Sequence, residues 1–483
     1  MIYKDDASTF SDYLTDVSNI KGTAQGIYFP ESVQEAQNII KKAYRTSTPV
    51  TISGAGTGIC GGRVPEGGII IATDKLNTIS EFSTDDKTIT VGPGIRLSEI
   101  QEFLQPTGLF YPPDPTETSA FLGGTIATNA SGARSFFYGP TRNYISSLTV
   151  ITPTGELLKI NRSENYLFNN QFVIQTEQGG VIRIPKPNYT WSFPKNSAGI
   201  FPAQHPIDLF IGSEGTLGMV VSATVQLLQQ PKTVFSGLIN FPTPNSAIAC
   251  IAALREKKYP TLSPCALEFF DTNSLKLLSS KYKNITTEGC ALWFEEDSYL
   301  ESDSVFDKLA EGYLNLFEQY GAESKTFRVA TNEAERREFQ EIRHSISYLV
   351  NEFISQQGLR KLGTDTAVPH NTFLEFYNKS TEIVLSANLR YVAYGHFGDS
   401  HLHLNLLPEG ENEYGQAADL YDQINKLALS FGGTIAAEHG VGKKKKHYLP
   451  LMFSRETLQD MQSIKKVLDP AHLFGQNNLF PSS

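Results

Sequence analysis

The chain has 483 residues, a formal net charge of −10 and a hydrophobic fraction of 40%. This length exceeds what one ordinary hydrophobic core occupies, so we expect at least two domains. The acidic balance argues against a nucleic-acid partner, because phosphate binding requires a basic surface. Small molecules are therefore the expected ligands.

The amino-terminal stretch MIYKDDASTFSDYL is polar and lacks the apolar core and cleavage site of a signal peptide. No run of about 18 apolar residues occurs, so we expect no membrane span. The predicted location is the cytoplasm, and attachment at the periphery of a membrane is compatible with it. The four cysteines form no CxxC pair, which indicates neither an iron–sulfur cluster nor a disulfide scaffold.

Residues 20–230 alternate short β-rich runs with glycine-rich turns. Helical spacing predicts a helix from Val33 to Arg45, and a second helix follows a GPG turn from Arg96 to Leu104. After Pro231 the chain changes to longer amphipathic segments separated by strands. We predict an α+β fold with units at residues 1–230, 231–425 and 426–483.

The stretch SGAGTGICGG, from Ser53 to Gly62, places five glycines directly after an apolar strand. Such a density lets several backbone amides point at one anion. The pattern is neither GxxxxGK[ST] nor a GxGxxG that opens a helix, so it fits neither a P-loop nor a Rossmann turn. By itself it is compatible with an anion-binding loop and with a plain tight turn.

Two further glycine-rich stretches follow, from Pro112 to Ile145 and from Ile211 to Gly218. In this order and spacing, the three stretches resemble the FAD-binding domain of the vanillyl-alcohol oxidase, or p-cresol methylhydroxylase (PCMH), family. The resemblance runs from about Thr23 to Pro231. It implies a PCMH-type FAD-binding domain made of two subdomains.

The resemblance also implies which residues contact FAD. The residues at the pyrophosphate would be Gly54, Ala55, Gly56, Thr57 and Gly58; those along the flavin Pro113, Ser119, Gly123, Thr125, Asn129, Ser131, Gly132 and Tyr138; and those at the adenine end Glu214, Gly215, Gly218 and Val220. Backbone amides can hold a diphosphate without a lysine. The first loop has Gly and Thr where some members bond the flavin through His, so we expect non-covalent FAD.

The stretch YGHFGDSHLHLN contains three of the nine histidines. We predict strands from Tyr391 to Tyr394 and from His401 to Leu407. In the second strand His401, His403 and Asn405 alternate with leucines and so share one face.

His396 lies just before the turn between these strands, and Glu438 lies in a second glycine-framed turn, AAEHGVG. Two imidazoles and a carboxylate form a common site for a divalent transition metal. The alternative is that these histidines are ordinary hydrogen-bonded groups on a polar strand face.

The pattern GHxGDxxxHxN followed by EHGxG resembles the C-terminal domain of flavin-linked D-2-hydroxy acid dehydrogenases, which act on D-lactate, glycolate or D-2-hydroxyglutarate. The resemblance covers about Lys232 to Phe480. It implies an α+β substrate (cap) domain with an antiparallel sheet and a C-terminal segment that returns to the FAD domain. It makes His396, His403 and Glu438 the ligands of a divalent metal, with zinc in first place and manganese or iron as alternatives.

The reaction that this resemblance implies is oxidation of a D-2-hydroxy acid to the 2-oxo acid. The metal would lower the pKa of the substrate hydroxyl, and His439 would take its proton while hydride moves from C2 to flavin N5. Asn405 would face the substrate. Arg343, in FQEIRHSISYLV, matches a family arginine that pairs with the substrate carboxylate. The alternative for Arg343 is a surface position on an amphipathic helix.

The chain departs from the family pattern at several places. His401 stands where asparagine is usual; the alternatives for it are an additional group in the pocket, a partner of a ligand and a metal ligand, and we assign it none of these roles. Gly363 stands where some members have lysine, and GQNN from Gly475 replaces the usual NPGK. The run Lys443 to Lys446 is typical of a solvated face. The alternatives for it are that Lys445 lies near the site or that the cluster meets an anionic surface or redox partner.

The expected partners are a small 2-hydroxy acid and an electron acceptor, which is a quinone, a cytochrome, an electron-transfer flavoprotein, oxygen or an iron–sulfur protein. A homodimer is a possible assembly. Two competing functions stay open: a non-redox flavoenzyme resembling alkyl-dihydroxyacetonephosphate synthase, and a flavin-binding scaffold subunit of an oxidase complex. The EHGxG and GHxGD patterns favour the dehydrogenase over the synthase. The combination of His396, His403, Glu438 and His439 speaks against the scaffold, which has no need of it.

Overall fold

The structure, a computed structural model, describes residues 2–193, 195–300 and 303–480. Within these ranges the chain forms 22 strands and 13 α-helices. The strands are β1 Ile2–Lys4, β2 Gly26–Phe29, β3 Val50–Ser53, β4 Ile69–Ala72, β5 Ile79–Ser83, β6 Thr88–Val91, β7 Leu109–Phe110, β8 Ile145–Ile151, β9 Leu157–Asn161, β10 Leu167–Phe168, β11 Gln171–Gln175, β12 Val181–Pro185, β13 Met219–Gln226, β14 Leu228–Gln229, β15 Thr233–Phe241, β16 Ala266–Phe270, β17 Cys290–Ser298, β18 Arg328–Val329, β19 Leu362–Gly363, β20 Thr366–Ala367, β21 Tyr391–Gly395 and β22 His401–Leu406.

The helices connect and cover these strands. They are α1 Val33–Arg45, α2 Leu97–Leu104, α3 Leu122–Thr128, α4 Ser135–Tyr138, α5 Ile207–Phe210, α6 Pro244–Arg255, α7 Thr272–Ser279, α8 Asp303–Gln319, α9 Glu333–Gln356, α10 Phe373–Ser386, α11 Glu411–Ser430, α12 Leu449–Met452 and α13 Arg455–Leu468. Short 3-10 helices complete several of the loops.

Two main sheets form the first half of the chain. One has the order β1-β2-β4-β3, in which β4 pairs in parallel with both β2 and β3 and β1 pairs antiparallel with β2. The other has the order β5-β6-β13-β8-β9 and is antiparallel. Strand β13 alternates buried and half-buried residues, as expected for a strand with one face on a core.

The second half is built on one antiparallel sheet with the order β18-β15-β17-β16-β21-β22-β19, in which β20 also pairs with β22. Strand β22 is buried along its whole length. The polar side chains that β22 carries are therefore enclosed by protein, and each of them needs a partner inside the fold.

Side-chain hydrogen bonds cap the first turns of α1 and α9. Ser32 Oγ accepts a hydrogen bond from the N–H of Glu35 at 3.2 Å at the start of α1. Asn332 Oδ1 accepts from the N–H groups of Ala334 and Glu335 at 3.0 Å, which begins α9. Such caps satisfy donors that have no partner within the helix.

The last part of the chain packs against the first sheet. The N–H of Val50 in β3 donates to the carbonyl of Leu473 at 2.9 Å, and the N–H of Gly475 donates back to Val50 at 3.2 Å. The buried ammonium of Lys465 donates to the carbonyl of Thr216 at 2.8 Å. Both ends of the chain thus contribute to the same half of the molecule.

The structure confirms the α+β class, the helix at Val33–Arg45 and, one residue shorter than predicted, the helix at Leu97–Leu104. It also confirms the antiparallel sheet of the second half and the two strands around the histidines, the second of which ends at Leu406. The boundaries at residues 230 and 425 stay a prediction. Among the described residues, no helix has both the length and the apolarity to cross a membrane.

Candidate active site

A cavity of about 500 Å³ lies between the glycine-rich loops of the first half and the sheet of the second half. Its wall includes residues 54–58 on the first side and His396, His403, Glu438 and His439 on the second. This volume lies in the range of small-molecule sites, which is about 300–1,000 Å³. One cavity therefore joins two groups of residues that are far apart in sequence.

Most residues that the sequence assigned to the cofactor line this cavity. They are Gly54, Ala55, Gly56, Thr57, Gly58, Gly123, Thr125, Ser131, Gly132, Glu214, Gly215, Gly218 and Val220. Pro113, Ser119, Asn129 and Tyr138 lie outside its wall. Ser119 is exposed and bonds to Glu117, the Asn129 side chain accepts from the N–H of Arg142, and the Tyr138 hydroxyl bonds to Asp297.

Arg63, which the sequence reasoning did not single out, supports the first glycine loop. Its Nη1 donates to the carbonyl of Gly54 at 2.9 Å, and its Nε donates to the carbonyl of Thr15 at 2.9 Å. Gly56 has φ of 82°, and a Cβ at this position would lie 2.2 Å from Arg63 Cζ. Both the backbone conformation and the guanidinium therefore require glycine here.

Gly124 lies opposite Gly54 of this loop, and neither residue has a side chain to fill the space between them. A Cβ added at Gly124 would meet no atom within 4 Å, and one added at Gly54 would meet only Gly124 at 3.9–4.0 Å. The two glycines thus leave open space between backbone segments. The N–H of Gly124 donates to the carbonyl of Phe121 at 2.9 Å, so a phosphate-bearing part of FAD in this space would be held from the side of the first glycine loop, whose backbone N–H groups can bind phosphate.

Glu214 connects the two sides of the cavity. Its two carboxylate oxygens accept hydrogen bonds from the N–H groups of Val441 and Gly442, each at 2.7 Å. Burial raises the pKa of Glu214 to about 7. Gly442 has φ of 51°, and a Cβ there would lie 2.1 Å from the carbonyl oxygen of Cys60. The glycines of EHGVG therefore let this turn pack directly on the first glycine loop.

Three histidines and a glutamate meet at the end of β21 and β22. Ligand atoms of His396, His401, His403 and Glu438 all lie within 4.8 Å of one another, and all four residues are buried. Glu438 Oε1 lies 3.2 Å from His396 Nε2 and 3.4 Å from His403 Nε2. The structure thus brings together the three implied metal ligands and adds His401 to them.

The other oxygen of Glu438 has partners from the first half of the chain. Oε2 accepts from Ser131 Oγ at 2.8 Å and pairs with Lys195 Nζ at 3.2 Å. Lys195 also pairs with Asp399 at 3.1 Å. Burial alone would raise the pKa of Glu438, but His396 and Lys195 hold it well below its ordinary value. Glu438 is therefore a carboxylate at neutral pH.

Arg343, Glu268 and His396 form a buried charged chain. Arg343 Nε pairs with one oxygen of Glu268, and His396 Nδ1 lies 2.6 Å from the other. Burial opposes the charge on Glu268, but Arg343 and His396 lower its pKa to about 2. Burial by itself would lower the pKa of His396, but the negative charges of Glu268 and Glu438 raise it to about 9. Arg343 is 2% exposed, so a surface position for it is wrong.

Asp365 gathers a second set of partners. Its Oδ1 lies 3.0 Å from His401 Nε2, while Oδ2 accepts from Lys445 Nζ at 2.8 Å and from the N–H of His439 at 3.0 Å. Burial would raise the pKa of Asp365, but His439 and Lys445 hold it well below its usual range. Lys445 is 2% exposed, so the solvated face predicted for the lysine run is wrong at this residue.

His439 faces the cavity between two carboxylates. Its Nδ1 lies 3.4 Å from Asp365 Oδ2, and its Nε2 lies 3.5 Å from Glu438 Oε1. Burial lowers the pKa of His439 to about 4. The imidazole is therefore neutral at physiological pH and able to accept a proton.

Asn405 and Lys361 lie on the same wall. The buried Oδ1 of Asn405 has no hydrogen-bond partner within the described protein. A Cβ at Gly363 would lie 2.2 Å from this oxygen and 3.3 Å from Cε of Lys361. Lys361 and Gly363 are two residues apart in extended chain and so project to the same side. The Lys361 side chain therefore ends beside Gly363.

Sequence reasoning missed Glu268, Asp365, Lys195 and Lys361. Glu268 has a recognisable signal, because a lone carboxylate within the apolar strand ALEFF must be paired when buried. Asp365 lies in a short extended stretch, TDTAVP, and Lys195 lies in a loop. Asp365 begins the motif DxxVP, read here as DTAVP, from which no role was inferred. Lys195 has no local pattern that marks it, since its partners are distant in sequence.

Comparison with known proteins gives two family matches. Residues 230–478 match the family described as FAD linked oxidases, C-terminal domain. Residues 24–161 match the family described as FAD binding domain. The first match covers more than half of the chain, and the two together cover both sides of the cavity.

Relatives with known names align over almost the whole chain. The D-lactate dehydrogenase of Anaerostipes hadrus is 29% identical over 476 residues, which cover 95% of this chain and 90% of the relative. The D-2-hydroxyglutarate dehydrogenase of Stutzerimonas stutzeri is 27% identical over 490 residues, covering 98% and 95%. The glycolate oxidase subunit GlcD of Bacillus subtilis is 26% identical over 461 residues, covering 93% and 88%.

Among solved structures, an alkyldihydroxyacetonephosphate synthase superposes with a TM-score of 0.70 at 17% sequence identity. The superposition covers 100% of this chain and 82% of that one. At this identity the likeness shows a shared fold, and it carries no statement about the reaction.

Proposed function

Because the chain belongs to the family of FAD linked oxidases, we propose that it is an FAD-dependent dehydrogenase that oxidises a D-2-hydroxy acid to the 2-oxo acid. One observation carries the proposal. The glycine loops, the buried His396, His403 and Glu438, and the half-buried His439 line the same cavity. A cofactor held by the loops would therefore share its site with groups suited to activate a hydroxyl.

The first part of the proposal is non-covalent FAD. Residues 54–58, supported by Arg63, and the side-chain-free wall at Gly124 would hold it. FAD supplies the acceptor for the electron pair that leaves C2 of the substrate. The chain's own contribution is to position the substrate and to remove a proton.

The second part is a divalent metal held by His396, His403 and Glu438, with zinc in first place and manganese or iron as alternatives. The donor set fits, because two imidazoles and a carboxylate suit such ions. His396, His403 and Glu438 would hold the ion, which would supply Lewis-acid activation of the substrate hydroxyl. Glu268 and the carbonyl of Thr364, at 2.6 Å and 3.3 Å, orient the rings of His396 and His403.

His439 is the proposed base. Its imidazole is neutral, and Asp365 fixes its position through the backbone N–H at 3.0 Å. A neutral imidazole beside the substrate hydroxyl can accept its proton. Asn405, whose buried Oδ1 has no hydrogen-bond partner among the described residues, would face the substrate in the same part of the cavity.

Two cations are proposed to hold the substrate carboxylate or carboxylates. The Nε of Arg343 is committed to Glu268, and we assign its remaining N–H donors to the carboxylate next to the reacting carbon. Lys361 supplies a second positive charge on the cavity wall. The candidate substrates are D-lactate, glycolate and D-2-hydroxyglutarate, as in the names of the relatives.

Electrons must then pass to a separate carrier. The four cysteines are buried and free, and no group of three ligating side chains among the described residues includes one. A quinone, a cytochrome, an electron-transfer flavoprotein or an iron–sulfur protein would accept the electrons.

Turnover with an artificial electron acceptor tests the proposal. A D-2-hydroxy acid should yield its 2-oxo acid in step with reduction of the acceptor, and the L enantiomer should yield much less. A protein that carries FAD but reduces no acceptor with any 2-hydroxy acid would contradict the dehydrogenase and favour the non-redox flavoenzyme.

A further inference from the structure

His401 lies in β22, and its hydrogen bond to Asp365 uses only one of its two ring nitrogens. The residue is fully buried, and its Nε2 lies 3.0 Å from Asp365 Oδ1. An ionised carboxylate only accepts hydrogen bonds, so the proton of this ring is on Nε2. Nδ1 consequently carries a free lone pair.

Nδ1 has no hydrogen-bond partner in the part of the chain that the structure describes. The carboxylate oxygen that faces it, Oε2 of Glu438, is 3.9 Å away, which is too far for a hydrogen bond. That oxygen is already engaged by Ser131 and Lys195. A buried acceptor without a partner is costly, so such an atom points to a ligand.

The same arrangement recurs in the neighbouring histidines. In His396 the outer nitrogen, Nδ1, is held by Glu268, and in His403 it is held by the carbonyl of Thr364. In all three rings the outer nitrogen has an acceptor and the other faces the cluster. This is how proteins orient imidazoles toward a metal.

A second possible grouping, of Asp365, His403 and His439, is less suitable. The oxygens of Asp365 already have His401, Lys445 and two backbone N–H groups as partners. A cation there would have to displace a buried ammonium. In the set with Glu438, Nδ1 of His401 can bind a cation without displacing a hydrogen-bond partner.

We propose that His401 is a third imidazole ligand of the divalent-metal site, beside His396, His403 and Glu438. The proposal rests on the proposed function, since it requires a metal at this site. The usual asparagine of the family pattern offers no imidazole here. One more imidazole nitrogen strengthens the preference for zinc over manganese, because imidazole suits zinc and oxygen ligands suit manganese.

Zinc-edge X-ray absorption of the FAD-loaded wild type tests this without a variant. The protein is stripped with a chelator, loaded with zinc alone at one equivalent and measured. The multiple-scattering signal that imidazole rings produce should be fitted only with three imidazole ligands per zinc. A fit with two imidazoles overturns the role of His401 and leaves the metal site standing. A protein that binds no zinc overturns both.

The variant His401→Asn, which restores the family residue, gives a second test. Asparagine has no ring nitrogen, and its shorter amide does not reach Asp365 as Nε2 does, so the variant loses the proposed ligand together with the hydrogen bond to Asp365. Competition with a coloured zinc chelator should show at least about tenfold weaker binding, the loss that even outer partners of ligands cause. The zinc-to-manganese affinity ratio should fall as well.

The matched control is His205→Asn, on a half-buried histidine that bonds to the carbonyl of Glu164 away from the cavity. It should bind zinc like the wild type. FAD content and thermal unfolding are measured for both variants, so that a misfolded protein is recognised. Zinc affinity of a folded His401→Asn protein equal to that of His205→Asn would overturn the proposal.

Discussion

Asp365 Oδ2 accepts a hydrogen bond from the backbone N–H of His439 at 3.0 Å and lies 3.4 Å from Nδ1 of the same residue. The carboxylate therefore fixes the backbone of the proposed base and lies beside its ring. Because Lys445 neutralises Asp365 from the other side at 2.8 Å, the histidine need not be charged to balance it. This relationship makes His439 a neutral, oriented proton acceptor.

The first prediction concerns His439→Asn. Loss of a positioned general base should slow flavin reduction by substrate about 100-fold to 10,000-fold, with FAD still bound. Anaerobic stopped-flow absorbance measures this rate. His447→Asn is the control, since that exposed ring packs on Tyr448 outside the cavity wall. Equal rates in the two variants would remove His439 as the base.

The second prediction concerns the buried pair of Glu268 and Arg343. Glu268→Ala leaves a buried guanidinium without its partner, so the free energy of unfolding should fall by about 3–5 kcal/mol. Denaturant unfolding of the FAD-loaded protein measures the change. The double variant Glu268→Leu with Arg343→Met removes both charges and should recover most of this stability while losing substrate binding. A single variant as stable as the wild type would show that the pair is not enclosed.

The third prediction concerns Lys361. Lys361→Met removes the proposed contact to a substrate carboxylate and should raise KM about tenfold, which corresponds to the loss of one charge-assisted hydrogen bond. Lys361→Arg retains the charge and should lie closer to the wild type. Lys325→Met, on an exposed lysine paired with Glu323, is the control. An unchanged KM for Lys361→Met with every 2-hydroxy acid that reduces the flavin would refute the assignment.

The fourth prediction compares two glycines with the same backbone conformation. Gly56 and Gly67 have φ of 82° and 81°, but a Cβ at Gly56 would meet Arg63 at 2.2 Å, whereas one at Gly67 would meet nothing within 4 Å. Each alanine variant should lose about 1–3 kcal/mol of stability from backbone strain. Gly56→Ala alone should also lose FAD on gel filtration. Equal FAD retention would mean that the loop around Arg63 does not hold the cofactor.

Much of the fold could be predicted from local patterns. Alternation in β22 correctly placed His401, His403 and Asn405 on one face, because side chains of a strand project with a period of two. The helical spacing from Val33 likewise defined α1. Glycine density identified the loops that line the cavity, since it reflects what the local backbone can do.

The rest of the site depends on partners that are distant in sequence. His401 is oriented by Asp365, 36 residues earlier, and His396 by Glu268, 128 residues earlier. Four lysines in a row predicted a solvated face, but Lys445 is drawn inside by Asp365. No local periodicity encodes such pairs, because they arise only when the sheet and the last glycine turn pack together.

Anaerobic mixing of the FAD-loaded protein with D- and L-2-hydroxy acids tests the central claim most directly. We expect the visible absorbance of the oxidised flavin to disappear with at least one D-2-hydroxy acid, with formation of one 2-oxo acid per flavin, and to persist with its L enantiomer. A flavin that stays oxidised with D-lactate, glycolate and D-2-hydroxyglutarate alike would contradict the assignment of this cavity to D-2-hydroxy acid oxidation.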